Sequence, residues 1–189
     1  MTKTDPGRAS AARLRVLETA TRLFYAEGVR AIGIDRIIAE AGVAKATFYS
    51  HFPSKDGLVL SYIEEQDRIG RASLGALATG APRDSLFALF DTISEAAILP
   101  GYRGCPFLNA AVEYPDPATP VRQAIDEHRR WHRDLLRRLL ADTGCTDPDA
   151  AANILLAIWD GLMVSGHVDD PSRIRVLARQ ALAGVINAQ

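Results

Sequence analysis

Cysteine, lysine and aromatic residues are scarce in this chain of 189 residues. The two cysteines, Cys105 and Cys145, form no Cys-x-x-Cys pair, which argues against a disulfide framework and a cysteine zinc site and favours a reducing compartment. Aromatic residues make up only 7% of the chain, whereas alanine, leucine, isoleucine and valine dominate. Because alternating apolar and polar runs are few, this composition predicts an all-α protein.

Long apolar segments are missing as well. We find no stretch of about 18 apolar residues that would indicate a membrane span, and the first ten residues, MTKTDPGRAS, lack the apolar core of a signal peptide. The hydrophobic content of 48% is nevertheless sufficient for a folded core. These features predict a soluble protein of the cytoplasm.

Charge is distributed unevenly, although the formal net charge is only -1. Residues 1–60 hold nine Lys and Arg against six Asp and Glu, and all three lysines of the chain lie there. Residues 61–189 hold thirteen against seventeen. The difference favours an N-terminal part that faces an anion, carried on an otherwise acidic body.

Two apolar stripes predict the first two helices. The stripe over residues 14–24 has helical spacing and ends near Gly28, which predicts a helix over about residues 10–27. The stripe over residues 34–41 predicts a second helix that is too short to be stable alone and must pack on another element.

A third helix follows a glycine turn at Gly42, where Val43 supplies an apolar plug. Between Lys45 and Phe52, the two phenylalanines Phe48 and Phe52 are four residues apart and share one face, whereas the polar residues point elsewhere. Two short helices joined in this way, the second with an apolar back and a polar front, predict a helix-turn-helix whose front enters a major groove.

The segment AEAGVAKATFYSHFPSKDGL and the preceding LFYAEGVRAIGIDRI resemble the N-terminal domain of the TetR family of bacterial transcriptional regulators. The family pattern of Ala-Gly-Val, Thr-x-Tyr, His-Phe and Ser-Lys stands here at residues 41–43, 47–49, 51–52 and 54–55. By this resemblance we expect backbone and groove contacts from Thr47, Tyr49, His51 and Lys55, and tuning of sequence preference by Lys45, Ala46 and Ser50.

The chemistry of these residues agrees with the resemblance. Lys55 is a point charge for phosphate, the hydroxyls of Thr47 and Tyr49 donate to phosphate oxygens, and Lys45 reaches guanine in the groove. The alternative is ordinary packing or hydrogen bonding within the domain for Tyr49 and His51, and idle surface positions for the lysines.

Two positions depart from the family pattern, which often has Ser or Thr where this chain has Gly33 and Ala44. Glycine is an acceptable N-cap and alanine is a poor one. We therefore expect the third helix to lose roughly 1 kcal/mol of capping until DNA orders it.

The remainder of the chain predicts further helices, about nine in all. Ser54 caps a fourth helix, and another follows over about residues 84–99. A short apolar helix precedes the pair Thr119-Pro120, which predicts the start of a helix over about residues 120–142. With the resemblance, this gives a helix-turn-helix domain at residues 1–53, with a disordered arm at about 1–9, and a regulatory, ligand-binding and dimerisation domain at 54–189.

A small-molecule site is predicted where apolar residues meet a few polar groups. Its candidate lining is Tyr102, Cys105, Phe107, Asn109, Glu113, His128, Trp131 and His132. His128 and His132 have the i, i+4 spacing of metal ligands, but the residue after His128 is Arg129 and not the Glu of a zinc-protease helix. A satisfied core histidine pair and a fully packed bundle without a cavity are the alternatives.

The last two helices carry apolar stripes that we interpret as a dimer interface, because the resembled family dimerises through a four-helix bundle. The stripes comprise Leu155, Ile158, Trp159, Leu162, Gly166, Ile174, Leu177, Ala178, Ala181, Leu182 and Val185. Core packing within one chain is the alternative.

The resemblance implies a homodimer that represses transcription from a palindromic operator until an effector of unknown identity binds. Gly-x-Ser-x-Gly, phosphate-binding glycine and zinc-protease motifs are absent from the sequence, so we expect neither an enzyme nor a cofactor or metal. The alternatives are a regulator without a small-molecule ligand and a helical metal-binding enzyme that uses His128 and His132.

Overall fold

The computed structural model describes residues 6–187, and this part of the chain consists of α-helices, one 3-10 turn and loops, without a β-strand. The all-α prediction is therefore confirmed. The helices are α1 (Pro6–Glu27), α2 (Ile34–Ala41), α3 (Lys45–His51), α4 (Lys55–Leu77), α5 (Pro82–Ala97), α6 (Pro106–Glu113), α7 (Pro120–Asp142), α8 (Pro148–Val168) and α9 (Ile174–Asn187).

Helix α1 begins at Pro6, four residues before the predicted start. Residues 6–9 of the predicted arm are therefore helical, and the rest of that arm lies outside the described residues. The predicted helix starts at residues 54 and 119 are confirmed by their caps, since Ser54 Oγ accepts the Gly57 N–H at 3.1 Å and Thr119 Oγ1 accepts the Arg122 N–H at 3.3 Å.

The chain divides into two compact units, which we call the first unit (residues up to 66, with 109–124) and the second unit (residues 67–108, with 125–189). The division falls inside α4, α6 and α7, so each of these helices contributes residues to both units. In this division the first part of α4 and the end of α6 group with the N-terminal helices, whereas the sequence predicts one boundary after residue 53.

The first unit has an aromatic core. Phe24 and Tyr62 pack edge to face with ring centroids 5.7 Å apart, and Phe48 and Phe52 lie 5.9 Å apart. All four side chains are buried, as is Ile37 of α2. Because α2 has eight residues and α3 has seven, their stability comes from this packing and not from helix propensity.

The second unit packs α5, α8 and α9 around one apolar core. Phe90 of α5 meets Trp159 of α8 edge to face at 5.3 Å. Gly166 of α8 lets this helix lie close to α5, since a Cβ at position 166 would lie 2.9 Å from the Cβ of Ala97. A larger residue at position 166 would therefore push α5 and α8 apart.

Most residues of the predicted dimer stripe contribute to this core. Seven of its residues are buried within the chain itself, namely Leu155, Trp159, Leu162, Gly166, Ile174, Ala178 and Leu182. Three more, Ile158, Ala181 and Val185, are half-buried. Of the eleven residues, Leu177 is the exposed one, at 40%. The stripes pack in their own unit because this face of α8 and α9 meets α5.

Helix α8 is apolar on more than one face. Among the described residues, α8 is the one helix that is long and apolar enough to span a membrane. Its most apolar stretch of 18 residues has a mean hydropathy of 1.3, and 39% of that stretch is buried within the chain. The buried face belongs to the core just described, as in a core helix. Apolar residues on the opposite face, including Ile154 and Val164, stay exposed.

Candidate functional site

The turn between α2 and α3 is built on Gly42. Its φ of +62° lies in the left-handed region, and its N–H donates to the carbonyl of Ala39, while the Val43 N–H reaches the carbonyl of Ile38. This geometry closes α2 and lets the chain begin α3 two residues later. The sequence therefore forms the predicted helix-turn-helix at residues 34–51.

The two faces of α3 differ as the apolar spacing predicts. Phe48 is fully buried, and its ring contacts that of Tyr49 edge to face at 5.2 Å, whereas Tyr49 is 41% exposed. The other predicted DNA-contacting residues of α3 are exposed at Lys45, Ala46 and Ser50 and half-buried at Thr47 and His51. Four of these residues are therefore accessible to solvent, whereas the phenylalanines Phe48 and Phe52 are buried.

Internal polar contacts hold several of these side chains. Lys45 Nζ lies 3.2 Å from Asp35 Oδ1 in an exposed ion pair, and Ser50 Oγ donates to the carbonyl of Thr47 at 2.7 Å. The partner of Lys45, Asp35, is a residue that the sequence analysis missed because nothing in the spacing of α2 links it to α3. An exposed pair of this kind contributes little stability, so DNA can displace it.

Lys55, at the start of α4, donates from Nζ to the carbonyl of Arg30 at 3.3 Å. Burial lowers the pKa of Lys55, and the carboxylates of Glu113 and Asp56 oppose that shift. The start of α3 has no side-chain cap, as predicted for Ala44, and the same holds for α2 at Gly33. Backbone N–H groups at such ends are available to phosphate oxygens.

The second unit contains an aromatic cluster that includes four of the predicted effector-binding residues. Phe107 stacks on His128 with ring centroids 3.6 Å apart and an interplanar angle of 8°. Trp131 and His132 each lie within about 6 Å of His128 by ring centroid, and His132 packs edge to face on Trp159 at 4.6 Å. We call these five residues the aromatic cluster.

The two histidines of the cluster are neutral at physiological pH. Burial lowers the pKa of His132 to about 3, and electrostatic repulsion from Arg129 and from a protonated His128 acts in the same direction. Burial also lowers the pKa of His128, against a hydrogen bond to Asp67 that raises it. The neutral His128 ring donates from Nδ1 to Asp67 Oδ1 at 2.8 Å, whereas Nε2 of His132 is buried without a hydrogen-bond partner.

The charged residues beside the cluster are paired. Asp67 accepts a hydrogen bond from Arg71 at 2.7 Å, and the Arg71 guanidinium also lies over the Trp131 ring at 5.2 Å. Arg129 makes a two-point contact with Asp160, at 3.1 and 2.7 Å. The cluster therefore presents neutral aromatic surface and one unpartnered ring nitrogen, and not a net charge.

Other predicted effector-binding residues make different contacts. Tyr102 donates its hydroxyl to the carbonyl of Met163 at 3.2 Å, beside Gly166. Burial raises the pKa of the Cys105 thiol, which favours its protonated form. Asn109 and Glu113 belong to the first unit. Both carboxylate oxygens of Glu113 accept backbone hydrogen bonds there, from Val29 and Arg30.

The histidine pair lacks the surroundings of a metal site. The ring centroids of His128 and His132 are 6.2 Å apart, and Nδ1 of His128 is engaged by Asp67. Within residues 6–187, no group of three His, Cys, Asp or Glu side chains is arranged to hold a metal ion. The two histidines are packed among aromatic rings, with Nε2 of His132 left without a hydrogen-bond partner.

Comparison with known proteins links both units to one family. Residues 16–62 match the family described as "Bacterial regulatory proteins, tetR family", and residues 80–182 match "Tetracyclin repressor-like, C-terminal domain". The HTH-type transcriptional regulator LmrA of Bacillus subtilis is 27% identical over 79% of this chain and 82% of its own length. The HTH-type transcriptional repressor NemR of Escherichia coli is 26% identical over 93% and 92%.

Solved structures are similar over nearly the whole chain. The crystal structure of SCO4454, a TetR-family transcriptional regulator from Streptomyces coelicolor, has a TM-score of 0.91 and 44% identity, covering 95% of this chain and 96% of that one. The reduced form of E. coli NemR has a TM-score of 0.78 at 24% identity, covering 93% and 96%, and this likeness concerns the fold alone.

Proposed function

Because this chain belongs to the TetR family of bacterial regulatory proteins, we propose that it is a repressor that leaves a palindromic operator when a small molecule binds. That it is a DNA-binding transcriptional regulator follows from the family, since its relatives are regulators and not enzymes. An operator lies on the chromosome, so we propose that the protein works in the bacterial cytoplasm.

The observation that carries the proposal is the two-faced helix α3. The buried rings of Phe48 and Phe52 anchor the helix in the core, and the side chains of Lys45, Tyr49 and Ser50 are exposed. A helix of this kind reads base edges from its exposed face and uses neighbouring cations and hydroxyls for phosphates. We assign the second task to Lys55 and Thr47.

Selection of bound duplexes from a random library tests operator binding. The purified protein is expected to enrich a palindrome, and titration of that duplex is expected to saturate at two chains, since a two-fold dimer presents two copies of α3 to two half-sites. Duplexes enriched without two-fold symmetry would contradict the palindromic operator. Equal retention of all duplexes would indicate a sequence-independent DNA binder.

For the dimer we propose the exposed faces of α8 and α9 instead of the buried stripe. Ile154, Val164 and Val168 are 50%, 51% and 66% exposed along α8, and Leu177 is exposed on α9. A Cβ at Gly161 would meet no atom within 4 Å, so that a partner helix can approach closely there. Apolar surface on two adjacent helices is what a two-fold four-helix interface buries.

One substitution on this face, with a matched control, tests the interface. Val164→Glu places a charge on the proposed interface and is expected to give monomers by light scattering. Val112→Glu makes the same change at a residue of α6 that is 83% exposed, and is expected to leave the dimer intact. A dimeric Val164→Glu protein would place the interface elsewhere.

For the effector we propose an uncharged compound with a planar apolar body that binds at the aromatic cluster. The support is the stacking of Phe107 on His128 and the neutral state of both histidines. A ligand that binds better to a conformation unfit for the operator lowers DNA affinity by that preference.

Tryptophan fluorescence reports on this cluster selectively, because Trp131 and Trp159 are the two tryptophans of the chain and both belong to it. A panel of neutral and anionic aromatic compounds is titrated into the protein–operator complex. The neutral compounds are expected to change the emission and to release the operator at the same concentration. Release without a change in emission would place the effector elsewhere, and no release by any neutral compound would favour a regulator without such a ligand.

A further inference from the structure

The turn that joins α1 to α2 carries two backbone N–H groups that point at one carboxylate. Val29 N donates to Glu113 Oε1 at 2.8 Å, and Arg30 N donates to Glu113 Oε2 at 2.5 Å. Successive N–H groups that follow a left-handed residue form a small concave anion site in the backbone. Glu113, at the last position of α6, fills this site with its side chain.

Gly28 makes the arrangement possible in two ways. Its φ of +92° lies in the left-handed region that favours glycine, which turns the chain after α1 and presents the next two N–H groups together. A Cβ at this position would also lie 3.2 Å from Glu113 Oε1, so any side chain would crowd the carboxylate. The turn is therefore shaped around Glu113.

The same turn is held from its carbonyl side and joined to the proposed DNA-contacting surface. The carbonyl of Arg30 accepts a hydrogen bond from Lys55, and the neighbouring Tyr114 hydroxyl donates to Asp56 Oδ1 at 2.7 Å. Val29 and Ile32 of the turn are buried, so a shift of the turn would disturb the packing under α2.

We propose that Glu113 is a positioning residue for operator recognition. Its carboxylate fixes the turn that precedes α2, and α2 in turn sets the placement of α3 and Lys55 on the DNA. The proposal rests on the operator binding proposed above. It gives a part in DNA recognition to a residue that lies 84 positions after Val29 in the chain. Glu113 acts through the backbone and touches no nucleotide.

Two substitutions of Glu113 separate its geometry from its charge. Glu113→Gln keeps one acceptor oxygen but turns an NH2 group toward the second backbone N–H, so one of the two hydrogen bonds is lost. Glu113→Asp keeps the charge but is one methylene too short to reach both N–H groups. Both variants are expected to bind the selected operator about tenfold more weakly, because a charge-assisted hydrogen bond that holds the turn is lost.

Glu64→Gln is the matched control, since it removes the same charge from an exposed residue of the same unit. Loss of a negative charge alone strengthens binding to any duplex slightly. The control is therefore expected to retain the wild-type ratio of operator affinity to random-duplex affinity, whereas both Glu113 variants lower that ratio.

Amide hydrogen exchange supplies a reading that does not depend on DNA. The amides of Val29 and Arg30 are expected to exchange faster in both Glu113 variants, while those of the α1 core, such as Leu23, keep their protection. Faster exchange with an unchanged affinity ratio would overturn the positioning role, and unchanged exchange would overturn the contact itself. If the wild-type protein prefers no duplex, the proposed function fails, and exchange alone decides whether Glu113 holds the turn.

Discussion

The first and second units place their polar chemistry in opposite locations. In the first unit the polar residues of α3 lie on the surface above a core of aromatic rings. In the second unit His128, His132 and Asp91 are buried. His128 is hydrogen-bonded to Asp67, and the charge of Asp91 is paired with Arg179. A surface that binds a polyanion keeps its charges hydrated, whereas a site that senses a small molecule holds neutral polar groups in an apolar interior.

Truncation of one core ring in each unit has the largest expected effect. Phe48→Ala and Phe90→Ala each remove a fully buried ring and are expected to lower the free energy of unfolding by about 3–5 kcal/mol, measured by urea denaturation. Phe90→Ala is expected to change tryptophan emission, because its ring contacts Trp159. Folded Phe48→Ala protein is expected to keep wild-type emission and to lose operator binding. A changed emission in the Phe48→Ala protein would show that a change in the core of the first unit alters the surroundings of the tryptophans in the second unit.

Acid is expected to destabilise the second unit through His132. The pKa of His132 is about 3 in the folded protein and about 6.5 in the unfolded chain. Between about pH 3 and pH 6.5, the unfolded chain therefore binds a proton at His132 that the folded chain does not bind. Stability is therefore constant with respect to this group above pH 6.5 and falls by about 1.4 kcal/mol for each pH unit below it.

Urea denaturation between pH 7 and 5 measures this slope. His132→Leu is expected to reduce this slope. The remaining slope is expected to come from His128, because burial lowers the pKa of His128 as well. An unchanged slope in His132→Leu would show that folding does not lower the pKa of the His132 ring, contrary to its burial.

Weakening of the phosphate contacts is a smaller effect confined to the first unit. Tyr49→Phe combined with Lys55→Ala is expected to weaken operator binding and to reduce the slope of log affinity against log salt by about one. Fluorescence anisotropy at several salt concentrations measures both, and light scattering is expected to find the dimer unchanged. An unaltered salt slope would mean that Lys55 contacts no phosphate.

The smallest expected effect concerns the ion pair of Lys45 with Asp35. Asp35→Asn releases an exposed pair, and it is expected to change stability by less than about 1 kcal/mol. Operator affinity is expected to rise, because Lys45 then binds DNA without first breaking an ion pair with Asp35. Weaker binding in Asp35→Asn would show that Asp35 orients Lys45 toward the groove.

The helix-turn-helix could be predicted because its determinants are local. The glycine turn at Gly42 and the pair Phe48 and Phe52 fix which face of α3 is buried within eleven residues of sequence. The partner of Glu113 could not be predicted, because an acidic residue at the end of an apolar helix indicates a polar partner without identifying it. The N–H groups that it binds become a site only when α1 ends in a left-handed turn.

The stripes of α8 and α9 show a different limit of periodicity. Apolar residues occur on both sides of α8, as Leu155 and Leu162 are buried while Ile154 and Val164 are exposed. Helical spacing identifies each face as apolar but does not tell which face packs against α5 and which remains for a partner. Tertiary contacts decide this, and they place the predicted stripe inside the chain.

The most direct test of the account is whether the exposed face of α3 reads bases. The wild-type protein and Lys45→Ala are each used to select duplexes from the same random library. We expect both to enrich a palindrome, with a preference for guanine at one position of each half-site that Lys45→Ala loses. Identical sequences enriched by the two proteins would show that Lys45 reads no base, and an altered preference outside symmetric positions would contradict the presentation of α3 by a two-fold dimer.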